Sequence, residues 1–217
     1  MFDTSYTGTE IKKIVESLPL FEVEHMYRIE ALVEILTALV CKPDQNMDLC
    51  NCFAKAAFYH DIGKAWISSK LLLKPGPLSD QEYAAVKQHP VYAHAFLKSH
   101  PHFFNETAFF RHTVYNAAVF HHEYWDGSGY PYALQKEQIP LVARIVSVCD
   151  AYDAMTHARP YSAARSHKAA CAEIEKWAGK QFDPNIASVF IGNEKQFTAI
   201  HDSYGSAINN KQGGTST

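Results

Sequence analysis

Apolar residues return every three or four positions through most of this chain, and no long alternating stretch of valine, isoleucine and threonine offers a sheet an inner face. That pattern restricts the fold to the all-α class. Between about Glu22 and Val40, the residues Val23, Met26, Ile29, Leu32, Val33 and Leu36 form one stripe, so the segment reads as a long amphipathic helix ended by Lys42-Pro43-Asp44. A second helix is expected from about Leu49 to His60, stopping near Gly63, because glycine tolerates the left-handed conformation at a helix end. After the Lys74-Pro75-Gly76-Pro77 loop, Ser79 and Glu82 have the spacing of a capping box, which predicts a new helix start. Pro90 and Pro101 bracket a short helix, and residues 104 to 122 read as a longer one. Leu141, Ile145, Val148, Tyr152 and Met155 restore helical spacing behind Pro140, and Asp183-Pro184 supplies an N-cap and first turn for a last short helix.

With 217 residues, 47% of them apolar and 20% charged, the chain can bury a core as one domain, expected over residues 1–208. The polar, glycine-bearing end, 209–217, reads as a loose tail. A net charge of -3 gives no footprint for long nucleic acid or an anionic membrane, so a small phosphate ligand would need local positive charge, with metal ions the obvious source. Five cysteines without a C-x-x-C pair suit reduced thiols in a cytoplasmic protein, and Cys50-x-Cys52 is best read as small buried side chains. No basic segment followed by an apolar run opens the chain, and no stretch of about 18 apolar residues suggests a membrane span.

Twelve histidines are many for this length, and their spacing carries information. His60-Asp61 joins an imidazole to a carboxylate at the end of an apolar run; the carboxylate has two oxygens and can bridge two ions while the histidine ligates one. The pair alone decides nothing, because such dipeptides are common on surfaces. Lys64 follows at a distance where its ammonium could neutralise a phosphate oxygen or protonate a leaving alkoxide, or could simply be a solvated lysine at a helix end. His121-His122 ends another apolar run and enters Asp126-Gly127-Ser128-Gly129-Tyr130-Pro131, whose glycines and proline mark a shaped loop. Asp150 follows Ile145-Val146-Ser147-Val148-Cys149, where an unpaired carboxylate would be costly; a metal or Arg144 could partner it.

His60-Asp61-Ile62-Gly63-Lys64, taken with the run from His121 through Glu123-Tyr124-Trp125 to Tyr130-Pro131, resembles the double signature of the HD-GYP family. Lys87-Gln88-His89-Pro90, Asp150-Ala151-Tyr152-Asp153-Ala154-Met155-Thr156, Arg159-Pro160-Tyr161 and Ala178-Gly179-Lys180-Gln181-Phe182-Asp183-Pro184 resemble further family segments in the same order. The resemblance implies a compact HD-domain bundle of about seven to nine helices with a Gly-Tyr-Pro loop. It also implies a bacterial signalling enzyme, a metal-dependent phosphodiesterase that opens cyclic di-GMP to linear pGpG or acts on a mixed cyclic dinucleotide.

The implied ligand set places His25, His60, Asp61 and Asp150 on one ion and His89, His121 and His122 on a second, with Asp61 bridging. Two divalent ions are expected, iron first, with manganese or another transition metal as alternatives, about 3.5 to 4 Å apart. A hydroxide between them would attack phosphorus, with Asp61 and Lys64 as the catalytic residues. Arg159, Asp153, Gly129, Tyr130 and Pro131 would meet the substrate. Where some family members use a glutamate four residues before His25 to hold a third ion, this chain has Phe21, and Glu22 and Glu24 are expected to point elsewhere. Basic residues of the family are replaced by Tyr124 and Ser162, which bears on substrate affinity. The alternative reading is a weakly catalytic module that binds nucleotide or docks on a diguanylate cyclase through the Gly-Tyr-Pro loop, and an oligomer is compatible with either.

Overall fold

The computed structural model describes residues 9–41, 47–104, 106–158 and 163–200. Ten α-helices follow in order: α1 (Thr9–Glu16), α2 (Leu20–Cys41), α3 (Met47–Ala57), α4 (Ser69–Leu72), α5 (Asp80–Val86), α6 (His89–Ser99), α7 (Ala108–Phe120), α8 (Leu141–Thr156), α9 (His167–Lys176) and α10 (Pro184–Gly192). Residues 194–200 form a further helical stretch. Among the described residues the only β pairing is an isolated bridge between Ala178 and Phe182. The all-α expectation therefore holds, and the helices exceed seven to nine because short pieces such as the one-turn α4 add to the count. No described helix is long and apolar enough to cross a membrane.

Helix α2 is the axis of the molecule. Its Ile29, Leu32, Val33 and Leu36 pack with α8, α9 and α10 residues, including Val142, Ile145, Ile174 and Phe190, in one core. One turn earlier, Met26 joins Phe58, Tyr59, Ile62, Ala93, Val114 and Ala118 in a second core, on the side of α6 and α7. Ile29 and Leu36 are fully buried, so cutting either to alanine would cost about 2 to 5 kcal/mol. Because α2 serves both cores, the polar residues at its start, Glu22, His25 and Arg28, are drawn inside with it.

Several helix ends follow sequence chemistry. Ser79 and Glu82 form the expected capping box, with Ser79 Oγ accepting from the Glu82 amide and Glu82 Oε2 from the Ser79 amide. Asp183 caps α10 by accepting from the amides of Asn185 and Ile186. Thr107 caps α7, which starts later than expected; Phe104 instead sits in the core ahead of it.

The expected helix from Leu49 to His60 is corrected. Helix α3 ends at Ala57, and the chain tightens: the amides of Tyr59, His60 and Ile62 donate to carbonyls three residues back, leading into a 3₁₀ turn over Ile62–Trp66. His60 and Asp61 lie in this corner rather than on a helix. Gly63 does not take up a left-handed cap; a side chain there would overlap the carbonyl oxygen of His89, so glycine lets the corner seat against α6. The expected helix break at Lys42-Pro43-Asp44 and the tail 209–217 lie outside the described residues.

Candidate metal centre

The corner after α3, the start of α6, the end of α7, the middle of α8 and the first turns of α2 bring their polar side chains to one point. His25, His60, Asp61, His89 and His121 are all buried, at 3% exposure or less. Each of four imidazoles is held through Nδ1. That of His60 meets the Ala57 carbonyl at 2.9 Å, that of His89 the Val86 carbonyl at 2.9 Å, and that of His121 the Ala117 carbonyl at 2.9 Å. His25 Nδ1 instead meets Asp153 Oδ2 at 2.6 Å. A carbonyl or carboxylate oxygen can only accept, so Nδ1 carries the proton in each ring and a neutral imidazole turns the lone pair of Nε2 inward.

Those lone pairs converge. His25 Nε2 and His60 Nε2 are 3.2 Å apart, and His89 Nε2 and His121 Nε2 are 3.3 Å apart. Two donors at about 2.1 Å from one cation lie about 3.0 Å apart at a right angle and about 3.4 Å at the tetrahedral angle, so both pairs have the spacing of co-ligands. Asp61 stands between the pairs with one oxygen toward each. Its Oδ2 is 3.2 Å from His60 Nε2 and 3.5 Å from His25 Nε2, while its Oδ1 is 3.2 Å from His89 Nε2 and 3.8 Å from His121 Nε2. Asp150 Oδ1 adds a contact of 3.2 Å to His25 Nε2. His122 groups with Asp61, His89 and His121, and Asp150 with His60 and His121, their donor atoms all within 4.8 Å in each group.

Electrostatics keep this set ready to ligate. Burial alone would raise the Asp61 carboxyl, but Lys64, His60 and His25 hold it well below the usual carboxylate range. Asp150 is likewise held low against its burial by His25 and His60. Burial and the other imidazoles push His121 well below the ordinary histidine value, and burial with His89 pushes His122 down to about 3. Carboxylates are ionised and these two rings neutral at pH 7, the forms that bind divalent cations.

The structure reassigns several residues. Asp153, expected to meet substrate, is fully buried behind His25; it also accepts from Arg28 at 2.6 and 3.0 Å and lies 2.9 Å from His157 Nδ1. A carboxylate so enclosed is turned toward the His25 ring and sets its direction. Arg144 does not partner Asp150; it bonds Asp183 at 2.6 Å. Glu22 does not point elsewhere: its Oε2 lies 2.8 Å from Lys64 Nζ, which also reaches Asp61 Oδ2 at 2.7 Å. Lys64 is 6% exposed, not the solvated lysine a helix end would allow. Arg159 and Ser162 lie outside the described residues.

The Gly-Tyr-Pro loop is built as a support. Gly127 takes φ +85, a conformation that favours glycine, and Asp126 Oδ1 accepts from the Ser128 amide at 2.9 Å to set the turn. Gly129 packs on the backbone of His122, Glu123 and Tyr124, where a side chain would collide; this close approach, not a ligand contact, explains the glycine. The Tyr130 amide donates to the His122 carbonyl at 3.0 Å, and its ring stacks on His122 with centroids 4.8 Å apart. Lys87 Nζ lies 4.4 Å from the centre of the Tyr130 ring. Pro131 follows Tyr130 through a cis bond, half-buried. Glu123, which the sequence did not single out, is buried and accepts from the amides of Tyr132 at 2.7 Å and Leu134 at 3.0 Å. The amides of Trp125 and Asp126 donate to the carbonyls of Gln181 and Lys180, so the distal 178–184 segment braces the loop from behind.

A family model described as the HD domain matches residues 11–186. This chain belongs to the HD domain family. Its paired His-Asp and Gly-Tyr-Pro signatures are those of the HD-GYP branch, as the resemblance implied. It is 42% identical over 177 residues to a cyclic di-GMP phosphodiesterase of Vibrio cholerae, covering 79% of this chain and 35% of that protein. It is 30% identical over 179 residues to a 3'3'-cGAMP-specific phosphodiesterase of the same organism, covering 82% of this chain and 33% of that protein. The HD-GYP domain thus spans about a third of the length of these curated relatives. Among solved structures, an HDG"Y"P protein from Bdellovibrio bacteriovorus shares the fold, with TM-score 0.59 and 20% identity over 79% of this chain and 51% of that one.

Proposed function

We propose that this HD-GYP domain is a metal-dependent phosphodiesterase that opens a cyclic dinucleotide, cyclic di-GMP first, at a pair of cations held by His25, His60, Asp61 and Asp150 on one side and by Asp61, His89, His121 and His122 on the other. The observation that carries this reading is Asp61, whose two oxygens face two separate pairs of inward-turned imidazole nitrogens. The names of the relatives support the substrate class, since both cyclic di-GMP and 3'3'-cGAMP enzymes are among them.

Charge explains why cations are needed. Among the described residues, Asp61, Asp150 and Glu22 bring three carboxylates to the pocket, with Asp153 behind His25, against the positive side chains Lys64 and Arg28. Such a site repels a phosphodiester unless divalent ions reverse its sign. When bound, two such ions would lower the pKa of a water between them and share the charge that builds on the phosphoryl oxygens. Iron leads as the metal, with manganese or another transition metal as alternatives, because a mixed imidazole and carboxylate shell suits these ions. Phe21 offers no third carboxylate, and Glu22 is neutralised by Lys64, which favours two ions.

The chain's own residues then order the site. Asp153 fixes the tautomer and direction of His25, and Tyr130 fixes the plane of His122. Lys64 steadies Asp61 and keeps a positive charge beside the position a phosphate would take, where it can stabilise a leaving 3' oxygen. Gly127, Gly129, Tyr130 and Pro131 would shape the rim, with Lys87 over the Tyr130 ring, and Arg159 would orient the substrate. The test is turnover by protein reconstituted with iron or manganese under anaerobic conditions. Linear dinucleotide from cyclic di-GMP or 3'3'-cGAMP is expected, and its absence with either metal overturns the proposal. The alternative, a nucleotide-binding module that docks on a cyclase beside the exposed Tyr132, would instead retain nucleotide binding in Asp61→Ala without any turnover in the parent.

A further inference from the structure

A second group of ligating side chains lies away from this centre, on the far end of α8 and on α9. His167 and Cys171 stand four residues apart on α9 and so share one face of the helix. Glu194 comes up to them from the helical stretch 194–200. His167 Nε2 is 3.6 Å from Cys171 Sγ and 3.6 Å from Glu194 Oε2, and one donor atom of each residue lies within 4.8 Å of the others. A tetrahedral zinc with bonds of about 2.0 to 2.1 Å to nitrogen and oxygen and about 2.3 Å to sulfur puts nitrogen about 3.5 Å from sulfur and about 3.4 Å from oxygen. The observed spacings fall within 0.2 Å of both by this estimate.

A further contact points the same way. His167 Nδ1 lies 2.8 Å from the hydroxyl of Tyr152, a residue only 1% exposed on α8. With Nδ1–H donating to that oxygen, Nε2 keeps its lone pair for a cation, the arrangement by which a partner behind a histidine fixes a metal ligand. Cys171 Sγ lies beside the ring, 3.9 Å from Nδ1 and 3.6 Å from Nε2, so binding requires the thiol to turn toward the Nε2 side. We propose that His167, Cys171 and Glu194 form a separate mononuclear site for a zinc-like cation, with one coordination position left to water. Cys171 is buried while the Glu194 side chain is about half exposed, so the cation has an entrance on the carboxylate side. Burial and the neighbouring Glu194 push the Cys171 thiol up to about 12, so uptake must displace its proton. The bound ion would clamp α9 to the 194–200 stretch and, through Tyr152, to the helix that carries Asp150 and Asp153.

This proposal does not depend on the phosphodiesterase reading, and cobalt separates the two. No thiolate belongs to the proposed dinuclear set, so a thiolate-to-cobalt charge-transfer band that is lost with Cys171, and not with the other four cysteines, reports this site alone. Titration of Co²⁺ into the wild-type chain and into Asp61→Ala should give the band in both. Cys171→Ser should abolish it. Tyr152→Phe should weaken cobalt affinity by the about 10- to 100-fold that loss of a partner behind a ligand costs, and Glu194→Gln, a change on the exposed side, by at least as much. No band in the wild type at saturating cobalt, a band that persists in Cys171→Ser, or unchanged affinity in Glu194→Gln would each overturn the site. If Cys171→Ser does not fold, the wild-type spectrum and Glu194→Gln decide.

Discussion

The two halves of the proposed centre are held by different means. On one side, His89 and His121 are each anchored by a carbonyl three or four residues earlier in their own segment, and His122 by the stacked ring of Tyr130 in the following loop. On the other, His60 is anchored in the same local way by the Ala57 carbonyl, but its neighbour His25 is anchored by Asp153, which lies 128 residues away and is itself gripped by Arg28 and flanked by His157. The first kind of anchor forms as soon as local structure forms. The second exists only once α2 has packed on α8, and it buries charge. The local anchors therefore make a robust half, and the long-range anchor makes a half whose geometry and stability fail together.

Asp61 belongs to both halves, so its loss should have the largest effect. Asp61→Ala is expected to remove dinucleotide turnover entirely and to lower bound metal at both positions, measured by metal analysis of the purified protein beside the assay; loss of one equivalent alone would show that the halves load independently. Asp153→Ala comes next. It leaves Arg28 buried without its carboxylate and should cost about 3 to 5 kcal/mol in denaturant unfolding, with cation affinity on the His25 side falling about 10- to 100-fold. Wild-type stability in this variant would end the claim that charge holds that half.

Gly129→Ala tests the local side. Its methyl group must push the loop off the His122–Tyr124 backbone, at about 1 to 3 kcal/mol, and should weaken the His122 position while the His25 pair stays intact, which metal-edge spectroscopy can distinguish. The smallest effect is expected at a site that touches neither half. Ser79→Ala removes the capping box of α5 and should lower stability by about 1 kcal/mol with turnover unchanged, provided α5 contributes only by holding the chain in register.

Much of this was legible before any coordinates. The three-and-four spacing of apolar residues in α2 and α8, the capping box at Ser79 and the cap at Asp183 are all local, and they formed as the residue order required. The resemblance implies the seven proposed ligand positions, although neither periodicity nor composition brings His25 to His60. Errors fell where a decision depended on distant backbone. Gly63 has the place of a helix cap in the sequence, whereas it is the close approach of α6 that requires the glycine, and Glu22 is turned to the site by its contact with Lys64. Asp153 was placed at the substrate because its motif is shared, while the packing of α2 against α8 put it behind a histidine.

The residue order alone determined the long helices such as α2 and α8, the caps at Ser79 and Asp183, and that histidines and carboxylates stand near the breaks between helices, because those choices depend on neighbours within a turn or two. Only the tertiary structure decided which carboxylate faces the imidazole Nε2 atoms and which stands behind a ring, and that His167, Cys171 and Glu194 meet at all. Those outcomes depend on which helix faces pack together, and burial then forces each charged group to find whatever partner the packing supplies.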